Sequence, residues 1–232
     1  MTNKNIFIAC DVSSHTEALN LLNLIHEDIS GIKIGLQYIT QRSPEEIKEL
    51  AKFNKPIFYD GKFFDIKNTL VESVRSLQHL KIRYATVHLL NGSDALKAAN
   101  KVAKEINLNL LGVSVLTSFG DDDLENLGFK NNVEDQVKKL INIAVEANLY
   151  GVICSPLEVK MIKKIAPNLK CFTPGIRMES IKDEQKRTMT AKEAIQEGSD
   201  CLIIGRPITK GNPKENLRNP FHEKIQGMHG KS

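Results

Sequence analysis

Eight times along this chain a short apolar run of strand character gives way to a stretch whose apolar residues recur at helical spacing. In 232 residues that rhythm argues for eight β/α units closed into a barrel. Strands are predicted at 5–10, 31–34, 56–59, 84–88, 108–115, 151–154, 170–173 and 201–204. Helices are predicted at 15–26, 44–53, 66–80, 93–106, 133–148, 156–165 and 191–197, with a last one near 214–224. Ser43-Pro44 and Ser155-Pro156 each pair a capping residue with proline at the first helical position. A doubly wound sheet is the alternative arrangement, but it more often shows a glycine fingerprint after its first strand, and none stands here. The expected class is therefore α/β, a (β/α)8 TIM barrel forming one domain over 1–227, with 228–232 as a flexible C-terminal tail.

A barrel brings the C-terminal ends of its strands to one face, and the polar residues of this chain fall there. Asp11 ends the first strand and Lys33 lies near the end of the second, inside Gly-Ile-Lys-Ile-Gly at 31–35. Asp60 and Lys62 follow the third strand, Asp65 opens the next helical stretch, His88 ends the fourth strand and Thr117-Ser118 follow the fifth. Taken alone, Asp60-x-Lys62-x-x-Asp65 is also what a solvated charged turn looks like, because structural ion pairs make the same pattern. Lys33 weighs against that reading. A charge in so apolar a strand is costly unless paired, so carboxylates such as Asp60 should be its partners, in a network of Lys33, Asp60, Lys62 and Asp65. Asp60 and Lys62, two residues apart, point to one side of the sheet if strand periodicity persists. After the seventh strand, Thr-Pro-Gly-Ile-Arg at 173–177 leads into a polar stretch reaching Met189, of a length that reads as a lid or binding loop. Gly205-Arg206 follow the eighth strand. The loops after strands seven and eight are the usual phosphate site of this architecture. Glycine lets backbone N–H groups approach an anion, and arginine offers a bidentate fork.

Other chemistries find little footing. With 41% hydrophobic and 26% charged residues and no run of 18 apolar residues, no membrane partner is expected. The net charge of +4 is scattered among 28 acidic residues without a basic stripe, so nucleic acid is not an expected partner; a mild positive bias suits a small anion. Cys10, Cys154, Cys171 and Cys201 are widely spaced in apolar runs and read as buried reduced thiols. The first residues carry no cationic region followed by a cleavage site, so the expected location is cytoplasmic.

Taken in order, Asp11, Lys33, the Asp60-x-Lys62-x-x-Asp65-Ile-x-Asn-Thr69 signature, Leu116-Thr117-Ser118, Thr173 to Arg177, Gln185 and Ile204 to Pro207 resemble the orotidine 5′-phosphate decarboxylase family, bacterial branch. The resemblance runs from Asp11 to Thr209. Three positions depart from it: Gly61, Phe64 and Lys67 stand where that family usually has leucine, histidine and proline. What it implies is decarboxylation of orotidine 5′-phosphate (OMP) to UMP, the last step of de novo pyrimidine synthesis, in a homodimer with shared active sites and with no metal or other cofactor. It implies Lys62 as the proton donor to C6, with Asp60 and the partner's Asp65 holding that lysine charged and oriented. It implies Asp11, Lys33 and the partner's Thr69 at the ribose, Thr117 or Ser118 at the pyrimidine, and Arg177, Gln185, Gly205 and Arg206 at the phosphate. Two rivals stay open: a Mg²⁺-dependent sugar-phosphate decarboxylase or aldolase on the same barrel, which stabilises an enediolate, and an inactive barrel that only binds nucleotides.

Overall fold

The computed structural model describes residues 6–177 and 189–218. Eight strands close a parallel barrel: β1 (Ile6–Ala9), β2 (Gly31–Gly35), β3 (Ile57–Phe63), β4 (Tyr84–His88), β5 (Asn109–Val113), β6 (Gly151–Ile153), β7 (Lys170–Thr173) and β10 (Cys201–Ile204). Each pairs with its sequence neighbour in the barrel and β10 returns to β1, so every strand edge is satisfied. Two further two-residue strands, β8 (Ile176–Arg177) and β9 (Met189–Thr190), pair with each other in parallel outside the barrel. The barrel strands agree with the sequence reading in number and order. The segment 178–188, including Gln185 and most of the expected lid, and the expected tail at 228–232 lie outside the described residues.

Strand periodicity decides what fills the barrel. Phe7, Phe58, Tyr84 and Phe172 face inward, and Phe7 meets the other three edge-on with ring centroids 5.6–6.3 Å apart. Ala9, Leu111, Val113, Ile153, Cys201 and Ile203 join this inner cluster. The outward faces pack against the helices in two larger clusters, one around Leu96, Val137 and Val152 and one around Leu22, Ile32 and Ile204. At the N-terminal rim Asp200 accepts bonds from Lys163 (2.6 Å), Lys170 (3.0 Å) and the Cys171 N–H (2.8 Å), which ties β7 to the segment entering β10.

The two Ser-Pro helix starts are capped as expected. Ser43 makes a reciprocal box with Glu46 ahead of the helix Pro44–Glu49, and Ser155 one with Glu158 ahead of the short 3-10 turn Pro156–Glu158. All four cysteines are buried and unbridged, and burial pushes the Cys10 thiol up to about 12. Among the described residues no helix is long and apolar enough to cross a membrane.

The main correction concerns β3. It does not stop at Tyr59 but runs to Phe63, so Asp60 and Lys62 lie within it and not after it. Between Tyr59 and Phe63 the strand advances four residues while β4 advances two, from Ala85 to Val87. Asp60, Gly61 and Lys62 therefore sit on a bulge, with Lys62 in left-handed backbone at φ 49°.

Candidate active site

The aromatic plug fills the lower barrel, and a cavity of about 550 Å³ opens above it at the C-terminal ends of the strands. Asp11, Lys33, Asp60, Lys62, Thr117, Arg177, Gly205 and Arg206 all line it. A larger but more open depression on the helical exterior, near Asp121 and Lys164, holds none of these residues, and the enclosed barrel mouth is the site that gathers the charges.

Lys33 is the anchor of the site. Only 6% exposed, it donates to Asp11 Oδ2 at 2.7 Å and lies 3.9 Å from Asp60 Oδ2. Burial of that ammonium is compensated on two sides, as its place in an apolar strand demanded. The glycine two residues on makes this geometry possible. A Cβ on Gly35 would lie 2.5 Å from Asp11 Oδ1 and 2.9 Å from Lys33 Nζ, and the Gly35 N–H itself donates to Asp11 Oδ1 at 3.1 Å. Gly-Ile-Lys-Ile-Gly thus supplies both the charge and the clearance for its partner.

Lys62 Nζ donates to Asp60 Oδ2 at 2.9 Å, so one carboxylate oxygen faces two ammonium groups. The other, Oδ1, accepts from the buried Thr86 hydroxyl at 3.0 Å, and that same hydroxyl accepts the Lys62 N–H at 2.8 Å. Lys62 remains one-third exposed to the cavity, with its ammonium available to a bound molecule. Burial, with the Lys62 charge nearby, holds His88 below the ordinary imidazole range.

Three expected site residues stand elsewhere. Asp65 and Thr69 are exposed on the turn and first helical residues after β3; the Asp65 carboxylate accepts its neighbour Ile66 N–H at 2.7 Å. Among the described residues no ion pair joins Asp65 to Lys33 or Lys62, so within one chain the network is Asp11, Lys33, Asp60 and Lys62. Ser118 is exposed, and of the Thr117-Ser118 pair it is Thr117 that lines the cavity. Two residues were missed. Gln37 lines the cavity from the short helix Leu36–Ile39, and Thr86 bonds to Asp60 and Lys62 of the bulge; a polar side chain at an inward position of β4, two before His88, was the available signal.

Comparison with known proteins fits this geometry. The profile of the orotidine 5′-phosphate decarboxylase / HUMPS family matches residues 4–219. The chain belongs to that family. Relatives include orotidine 5′-phosphate decarboxylase of Wolbachia pipientis from Culex pipiens, 38% identical over 208 residues, which are 89% of this chain and 92% of that one. The protein of the same name from the Wolbachia of Brugia malayi is 38% identical over 91% of this chain and 94% of its own. The crystal structure of orotidine 5′-phosphate decarboxylase from Lactobacillus acidophilus superposes with a TM-score of 0.82 at 30% identity, covering 94% of this chain and 97% of that one.

Against the family pattern, the three departures have local compensations here. Gly61 lies against the stacked rings of Tyr59 and Phe63, 5.8 Å apart, where a Cβ would come 2.8 Å from Tyr59 Cε1. Phe64 tilts against His88 at 5.6 Å, and Lys67 pairs with Asp94 at 2.8 Å on the surface. None of the three supplies an ionisable group to the Asp11, Lys33, Asp60, Lys62 cluster.

Proposed function

We propose that this chain decarboxylates orotidine 5′-phosphate to UMP and CO2, with Lys62 delivering a proton to C6 and without a cofactor. The observation that carries the reading is a lysine ammonium held 2.9 Å from a partly buried carboxylate, at a cavity that also presents two arginines, in a chain of this family. When the bond from C6 to the carboxyl group breaks, its electron pair stays on C6 as CO2 leaves. An ammonium fixed beside that carbon stabilises the developing charge and then gives it a proton; water reprotonates the resulting amine. Asp60 orients Lys62 and, with Lys33 and Asp11, forms an alternating charge array that is already assembled before substrate arrives, so little reorganisation is needed in the transition state. Asp11 and Lys33 are assigned to the ribose and Thr117 to the pyrimidine. Arg177, Gly205 and Arg206, with Gln185, are assigned to the phosphate, whose binding energy assembles the site.

The reading includes a homodimer in which Asp65 and Thr69 serve the neighbouring subunit's site. Their exposure supports it, as do Phe64 and Ile66 beside them, 62% and 74% exposed; apolar side chains of that size around a site mouth suit a surface that becomes covered. It also includes a cytoplasmic location, which suits four unbridged thiols.

The test is to mix the purified protein with orotidine 5′-phosphate in excess EDTA and to follow the absorbance change to UMP. Turnover unchanged by EDTA is expected. No turnover of orotidine 5′-phosphate, with Mg²⁺-dependent turnover of a sugar phosphate in its place, would favour the sugar-phosphate branch of the family, and no turnover of either would leave a binding protein.

A further inference from the structure

The bulge carrying Asp60, Gly61 and Lys62 has a single residue opposite it. β4 advances only from Ala85 to Val87 across that span, so Thr86 alone faces it. Its side chain is fully buried and does not line the cavity. A hydroxyl has one proton and two lone pairs, and Thr86 uses both kinds of site, accepting the Lys62 N–H at 2.8 Å while donating to Asp60 Oδ1 at 3.0 Å. Lys62 needs such a tether because it stands in left-handed backbone, which is unfavourable for a lysine unless the surroundings hold it. Asp60 needs it because Oδ1 bonded to Thr86 leaves Oδ2 as the oxygen turned toward Lys62 and Lys33.

We infer that Thr86 is a positioning residue for the reaction, its hydroxyl clipping the bulge so that the Lys62 backbone and the Asp60 carboxylate are held in one geometry. The inference rests on the reading of Lys62 as proton donor. Thr86 acts through those two residues and touches no cavity surface, so its loss should reach the chemical step and spare binding. Valine keeps its shape and removes both bonds, leaving the Lys62 N–H without this acceptor; alanine removes the bonds with less crowding; serine restores them.

The experiment compares kcat and KM for orotidine 5′-phosphate in wild type, Thr86→Val, Thr86→Ala and Thr86→Ser, with active sites counted by UMP titration in a calorimeter. Thr86→Val and Thr86→Ala should lose roughly 10- to 100-fold in kcat, the consequence of losing both bonds that hold Lys62 and Asp60, while KM and the UMP Kd stay within about threefold. Thr86→Ser should stay within about threefold of wild type in kcat. If Thr86→Val does not fold, the alanine and serine pair decides alone. An alanine variant with wild-type kcat, or a serine variant as impaired as alanine, would overturn the inference, the second because side-chain volume and not the hydroxyl would then matter. An inactive wild type would instead remove the proposed function and this inference with it, a result distinguishable from normal wild-type turnover with an indifferent Thr86.

Discussion

Gly35→Ala is a test of the Lys33 anchor that removes no charged group. The new Cβ would stand 2.5 Å from Asp11 Oδ1, about 0.8 Å inside an ordinary closest carbon–oxygen approach of about 3.3 Å. Asp11 has to move by roughly that distance. Since its other oxygen is 2.7 Å from Lys33 Nζ, the pair opens to as much as about 3.5 Å, beyond the ordinary hydrogen-bond range. The bond from the Gly35 N–H to Asp11 Oδ1, now 3.1 Å, is disturbed by the same movement. A hydrogen bond to a charged group contributes about 1.5–3 kcal/mol, so kcat/KM for orotidine 5′-phosphate should fall roughly 10- to 100-fold. The assay is steady-state decarboxylation, with far-UV circular dichroism to establish that the barrel is intact. A folded Gly35→Ala protein with kcat/KM within about twofold of wild type would refute the claim that the Asp11–Lys33 contact sets the site.

Two further outcomes follow from the same arrangement. Arg206→Ala should lose about 1.5–3 kcal/mol of transition-state stabilisation, the worth of one charge-assisted contact to phosphate, and equal kcat/KM for orotidine and orotidine 5′-phosphate would remove the phosphate role. In the proposed homodimer, Lys62→Ala and Asp65→Ala variants should each be nearly inactive. After subunit exchange about half of the dimers are mixed and hold one intact site, so about a quarter of all sites should recover; activity that stays at background after verified exchange would mean that Asp65 works within its own chain.

What could be read from the sequence, and what could not, divides along the range of the forces involved. The barrel strands were legible because each is a short apolar run bounded by helical periodicity, and the strand positions then brought Asp11, Lys33, Asp60, Lys62, Thr117, Arg177, Gly205 and Arg206 to one cavity. The continuation of β3 through Phe63 was not legible, because a bulge breaks the period of two that marks a strand. The four-residue helices Leu36–Ile39 and Arg206–Thr209 and the two-residue strands β8 and β9 span barely one repeat of their own periods, too little for a periodic signal in the sequence. Lys33 announced itself, since a charge in an apolar strand requires partners. Thr86 did not, because a threonine is ordinary in a strand and its role comes from a bulge on the neighbouring one.

The most direct test of the central claim is the kcat of Lys62→Ala for orotidine 5′-phosphate in EDTA, measured on protein shown to bind UMP. Lys62 Nζ makes one described ion pair, to Asp60, and the rest of the cluster retains the Lys33 contacts to Asp11 and Asp60, so the site should still assemble without it. A positioned acid–base group contributes on the order of 10²–10⁴ in rate, and charge stabilisation at C6 adds to that, so the variant should fall at least that far below wild type while UMP binding persists. A Lys62→Ala protein that kept a tenth of the wild-type kcat, an order of magnitude above the ~10²-fold minimum loss, would contradict the account, because the proton reaching C6 would then have to come from elsewhere.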